Sequence, residues 1–129
     1  MNKLISILLV LLLLFSGCMS RKTSDQENSY IQITQEEAKQ MMDTDDVVIL
    51  DVREQYEYDE KHILNAILLP VGSITEATAA DVIPSKNTVV LVYCRSGNRS
   101  KTASQALVDL GYTNIYEFGG INTWQYEVE

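Results

Sequence analysis

The stretch "TVVLVYCRSGNRS", residues 88–100, delivers a thiol from a run of β-branched residues into a short polar loop. Cys94 is followed by Arg95, Ser96, Gly97, Asn98 and Arg99. A thiol reacts as its thiolate, and a helix N-terminus with nearby arginines lowers its pKa from about 8.5 toward neutrality. Gly97 permits the positive φ that lets the backbone N–H groups of residues 95–99 curl around the sulfur. The chemistry this points to is nucleophilic, with loop amides holding an anion at the sulfur. Most lone cysteines are small buried apolar side chains, but that role needs neither a glycine nor two arginines within five positions. Cys94 has no partner for a disulfide, because the only other cysteine, Cys18, sits in a segment of signal-peptide type.

The flanking elements must present this loop. "TVVLVY" is the most strongly β-branched stretch, and from Arg99 onward Ala103, Ala106, Leu107 and Leu110 recur at helical spacing, with Gly111 as the stop. Upstream, "YIQI" reads as a strand and "TQEEAKQMM" as a helix with Thr34 and Glu37 forming a capping box. "VVIL" is apolar at every residue, as suits a strand buried on both faces. "REQYEYDE" predicts a short polar helix, "AILLP" a strand, "SITEATAAD" a helix, "NIYEF" a strand and "GGINTW" a terminal helix. Five strands alternating with helices predict an α/β domain: a central parallel five-stranded sheet flanked by helices on both faces. A loop that follows a buried strand and opens a helix lies at the carboxyl edge of such a sheet, where ligands bind. The helix dipole adds positive potential there.

The chain of 129 residues has room for one domain. Its net charge of −8 argues against nucleic acid as a partner, since binding phosphates needs a basic face. From Ile63 to Glu129 the only cationic side chains are Lys86, Arg95, Arg99 and Lys101, and three of these crowd around Cys94. That clustering predicts a local positive site on an acidic background. With His62 as the single histidine there is no metal-ligand cluster, and no nucleotide-binding glycine motif occurs. Neither metal nor cofactor is expected.

Residues 1–17 carry the pattern of a signal peptide: Lys3, an apolar core over residues 4–15 and the small residues Ser16 and Gly17 before Cys18. The apolar run is shorter than the ~20 residues of a membrane-spanning helix. "LFSGC" resembles the bacterial lipobox, in which the cysteine becomes the lipid-bearing first residue of the mature protein; Phe15 stands where Leu is usual. The expectation is a lipoprotein attached through Cys18 to the outer side of the cell membrane. Two or three acyl chains hold a protein there stably. A polar tether over residues 18–29 then leads to a domain over residues 30–129.

The loop "CRSGNRS" resembles the active-site loop of the rhodanese-like domains, sulfurtransferases that form a persulfide on a cysteine. "DVREQYEYDEKHI", residues 51–63, is similar to that family's Asp-x-Arg-(x)3-Glu-(x)4-His-Ile segment, "NAILLP" follows at the expected place, and "GGINTW" resembles its Gly-Gly…Trp ending. The resemblance covers residues 30–124. Lys61 stands where the family usually has Gly.

The resemblance implies that Cys94 attacks the sulfane sulfur of a small anion such as thiosulfate and passes it to a thiol or cyanide. Residues 95–99 would bind substrate, one of Arg95 and Arg99 facing the donor and the other pairing inward with Asp51. Asp51 and Arg53 are expected as a structural ion pair bracing the loop, and His62 as a local hydrogen-bonding residue. Tyr112, Tyr116, Phe118 and Trp124 are expected in the core or at its rim. A redox or sulfur-relay protein is a further expected partner. Rival readings are a sulfide-carrier or protein-binding module without catalysis, and a cysteine-dependent phosphatase. Phosphatases of this fold have five residues between cysteine and arginine, whereas four separate Cys94 from Arg99.

Overall fold

The computed structural model describes residues 29–129, so the signal segment, Cys18 and most of the tether lie outside the described residues. Strands β1 (Ile31–Gln32), β2 (Val48–Asp51), β3 (Ile67–Leu68), β4 (Val90–Cys94) and β5 (Ile115–Gly120) alternate with helices α1 (Gln35–Thr44), α2 (Gln55–Glu60), α3 (Glu76–Val82) and α4 (Asn98–Asp109). All strand pairs are parallel, in the order β1-β5-β4-β2-β3. The α/β architecture expected from the alternation is the one observed.

Side chains alternate across each strand, and this divides the core in two. Leu50, Val90, Val92 and Ile115 pack against Ala79 of α3 and Ala103 and Leu107 of α4. Ile49, Leu91, Tyr93 and Phe118 pack on the opposite face against Ala38 of α1, with Met41, Met42 and Tyr58 beside them. Each fully buried Leu or Val contributes roughly 1.5–3 kcal/mol, so the central strands β2 and β4 anchor the sheet. Cys94, in register with Val90 and Val92, faces α4.

Two local expectations are corrected. Thr34 does cap α1, its hydroxyl accepting from the Glu37 amide at 3.1 Å. The Glu37 carboxylate, however, takes the Thr34 hydroxyl at 3.2 Å instead of completing a capping box at the Thr34 backbone. "GGINTW" forms a single 3-10 turn, Ile121–Thr123, not a terminal helix. The chain beyond it runs back along residues 62–64, where the His62 and Glu129 backbones exchange two hydrogen bonds and Val128 bridges Ile63 antiparallel. Backbone groups satisfied that way are unavailable to a helix. Lys61, finally, has φ −169°, extended backbone that any residue adopts, so glycine is not needed there.

Candidate active site

Strand β4 and helix α4 are joined by Arg95, Ser96 and Gly97, and Gly97 takes φ +107° at the N-cap of α4. Gly97 has no side chain with which to cap the helix, and the Cys94 sulfur takes that role. The Gly97 N–H donates to Sγ at 3.1 Å, and the Ser100 hydroxyl lies 3.4 Å from it. Burial of Cys94, 1% exposed, pushes the thiol up. The hydrogen bond between the thiol and the Ser100 hydroxyl, with those from the amides of Ser100, Gly97 and Ser96, more than offsets this, and the thiol lies below its ordinary value. The amides that reach sulfur are therefore those of residues 96, 97 and 100, and hydrogen bonds, not arginines, lead the depression. Cys94 is a free thiol.

Both loop arginines point to one acid. Arg99 donates to Glu57 through Nη1 at 2.7 Å and Nη2 at 3.0 Å, and Arg95 donates through Nε at 2.9 Å. The Glu57 carboxylate also accepts the Glu54 amide at 2.9 Å. Its hydrogen bond with Arg99 outweighs burial and, with those from Glu54 and Arg95, holds it at about 2. Glu57 in turn raises Arg99. Two expectations are corrected here: neither arginine meets Asp51, and the cationic cluster is partly neutralised by a glutamate only 2% exposed.

Asp51 instead belongs to Arg53. The guanidinium contacts both carboxylate oxygens, at 2.7–3.1 Å, and continues to the Lys61 carbonyl at 2.7 Å. Tyr93 donates its hydroxyl to Asp51 at 2.6 Å and accepts the Ile63 amide at 3.0 Å. Burial and the bond to Asp51 push the Tyr93 phenol well up. This buried set fastens both ends of the α2 segment to the sheet, and α2 carries Glu57. His62 stands apart from Cys94: Nδ1 donates to the Tyr58 carbonyl at 2.8 Å, Nε2 lies 3.1 Å from Glu129, and the ring stacks on Tyr58. Ser96 and Asn98 are exposed on the loop. Tyr112 and Phe118 are core residues, whereas Tyr116 and Trp124 are half-buried at its edge.

The floor behind Cys94 comes from β5. Val92 pairs with Glu117 but Cys94 pairs with Gly120, so β5 carries one extra residue. Gly119, at φ +90°, absorbs the resulting bulge. A Cβ on Gly120 would lie 2.0 Å from the Arg95 carbonyl oxygen, so only glycine lets β5 approach the loop this closely. Below the bulge, Glu117 turns toward α4 and accepts the Ser100 hydroxyl at 2.6 Å.

Comparison with known proteins agrees with this geometry. Residues 34–127 match the family model for the rhodanese-like domain. The chain belongs to the rhodanese-like family. A thiosulfate sulfurtransferase from Coxiella burnetii, GlpE, is 40% identical over 98 residues, which is 74% of this chain and 88% of that protein. PspE of Escherichia coli, also named a thiosulfate sulfurtransferase, is 36% identical over 72 residues, 56% of this chain and 68% of that protein. Among solved structures, an E. coli rhodanese with anions shares 32% identity at a TM-score of 0.59, covering 65% of this chain and 98% of that one.

Sequence reasoning assigned no role to Glu57, Tyr93, Ser100 or Glu117. Glu57 lay within the rhodanese-like segment, and Glu117 did carry a signal. It shares the inward face of β5 with Ile115, where an acid stands out.

Proposed function

We propose that this rhodanese-like chain is a sulfurtransferase in which Cys94 takes a sulfane sulfur from a small anion such as thiosulfate. The Cys94 thiolate attacks the outer sulfur, the S–S bond of the donor breaks, and sulfite leaves with the electron pair. A thiol or cyanide then attacks the outer sulfur of the persulfide, and Cys94 leaves again as thiolate. The observation that carries this reading is the thiol set at the N-cap of α4, with the Gly97 amide 3.1 Å from its sulfur and its pKa depressed. Those donors would hold the persulfide anion as they hold the thiolate. The thiosulfate sulfurtransferase names of the relatives support the same reaction. Of the two arginines, Arg95 makes one bond to Glu57 and is the more exposed, so it is assigned to the incoming anion; Arg99 makes two and is assigned to the frame.

Intact mass after thiosulfate treatment tests this. A gain of one sulfur atom, absent in Cys94→Ser, is expected; no gain in the parent would overturn the assignment.

We also propose that the domain is tethered to the outer face of the cell membrane by acyl chains on Cys18, a reading supported by "LFSGC" and the polar stretch after it. Parent protein is expected in the detergent phase and Cys18→Ala in the aqueous phase. Equal partitioning of both would rule out this anchor.

A further inference from the structure

Glu117 is 3% exposed, and among the described residues no lysine or arginine pairs with it. Its Oε1 accepts the Gly119 amide at 2.9 Å and the Ser100 hydroxyl at 2.6 Å, and its Oε2 accepts Gln32 Nε2 at 3.3 Å. Ser100 is 0% exposed, and its Oγ stands between this carboxylate and Cys94 Sγ, 3.4 Å away. A hydroxyl has one proton to donate. While Ser100 gives it to Glu117, the sulfur meets only the hydroxyl lone pair, which suits a thiol S–H and not a thiolate. For Ser100 to donate to the thiolate, its proton must turn to sulfur, and Glu117 must then supply the proton of the 2.6 Å contact. The Gly119 carbonyl, 3.5 Å from Oγ, is too distant to compete.

We infer that Cys94, Ser100 and Glu117 share one proton, Glu117 acting through Ser100 as the acceptor of the thiol proton. When the S–H bond breaks, its electron pair stays on sulfur and the proton passes to Ser100 Oγ. The former Ser100 proton forms an O–H bond on Glu117 Oε1. The charge moves from carboxylate to sulfur, the total stays at −1, and no oxidant or reductant is involved. Because the negative charge remains buried throughout, the exchange avoids creating a new one. Glu117 is thus a positioning residue for the nucleophile, and the inference rests on Cys94 being that nucleophile. The other charged groups facing this trio are Lys101, which lines the depression outside Glu117 with Gln32 and Gln35, and Arg99, which senses the charge on Cys94 while bound to Glu57. Asp51 and Arg53 neutralise one another at the end of β2.

A shared proton has a signature that a fixed carboxylate lacks. Two coupled groups titrate in two macroscopic steps. Alkylation of Cys94 by iodoacetamide, a neutral probe that needs no sulfur donor, is therefore expected to rise with pH in two limbs separated by a plateau. In Glu117→Gln and Ser100→Ala a single limb should remain, falling tenfold per pH unit on its acid side. If Glu117 stayed ionised and acted only through its charge, the parent would show one limb, and Glu117→Gln would merely shift it to lower pH; that result would overturn the inference. Should the variants fail to fold, infrared spectroscopy of the parent decides. A buried protonated-carboxyl band at plateau pH, absent in Cys94→Ser, is expected, and its absence from the parent would refute proton sharing. Failure of the sulfur-transfer reading would leave the thiosulfate mass unchanged without altering either readout.

Discussion

Two buried glutamates flank the Cys94 loop and do opposite things with their charge. Glu57, in front, meets two guanidiniums and a backbone amide, and is held ionised down to about pH 2. Glu117, behind, meets one hydroxyl, one amide N–H and one side-chain amide, all neutral. The first spends its charge fixing the loop and muting its arginines. Among the described residues the second has only neutral hydrogen-bond partners, so its charge is free to move to the neighbouring thiol. Similar burial thus yields a structural anion in one place and a proton acceptor in the other, because fixed cations surround one and not the other.

The largest expected effect removes what lies between them. Cys94→Ser should abolish sulfur transfer, since an alkoxide is unavailable at neutral pH and oxygen forms no persulfide; thiosulfate turnover measures this. Retained turnover would take the chemistry away from both glutamates.

Glu57→Gln breaks the front half. Because Glu57 is held below its unfolded value of about 4.5, it stabilises the fold above that pH, and its contribution is lost as pH falls toward 2. The shift corresponds to about 3 kcal/mol at neutral pH. Chemical denaturation should show a loss of that order in Glu57→Gln, and the difference from the parent should shrink between pH 5 and pH 2. Freed arginines should at the same time lower the thiosulfate KM of whatever protein remains folded. An unchanged KM would mean that the arginines do not face the donor.

Gly120→Ala attacks the contact between β5 and the loop. Its Cβ would meet the Arg95 carbonyl oxygen at 2.0 Å, so backbone must move, at a cost of roughly 1–3 kcal/mol. Melting temperature and thiol alkylation should both fall, since a displaced loop also shifts the amides that hold the sulfur.

The smallest effects separate the arginines. Arg99→Ala removes two bonds to Glu57 and should cost about 1.5–3 kcal/mol of stability. Arg95→Ala removes one bond from a half-exposed side chain and should cost no more than about 1 kcal/mol. Its main effect should be a raised thiosulfate KM that depends less on salt than the parent's, because the charge being screened is gone. Equal melting temperatures for the two variants would contradict the division of labour.

What the sequence determined by itself is whatever local pattern controls. Strand-forming runs at residues 47–50 and 88–93 with helical periodicity after Arg99 were enough for a parallel α/β sheet, and a thiol followed by a glycine and two arginines was enough to mark Cys94. The positive φ at Gly97 could be read because only glycine enters that region freely. Beyond the Asp51–Arg53 pair, which was expected and is observed, the partners of the charged residues could not be read. Arg53 finds Asp51 two residues away, within reach of a sequence argument, but Arg99 finds Glu57 across 42 positions and Ser100 finds Glu117 across 17. Such pairings depend on how α2 docks and on the one-residue bulge at Gly119, which sets where β5 aligns with Cys94. The last turn failed for a related reason: residues after Trp124 satisfy their backbone against residues 62–64, a choice between two hydrogen-bonding schemes that packing makes. Coulomb attraction depends on distance in space, and only the folded chain sets which charges become neighbours.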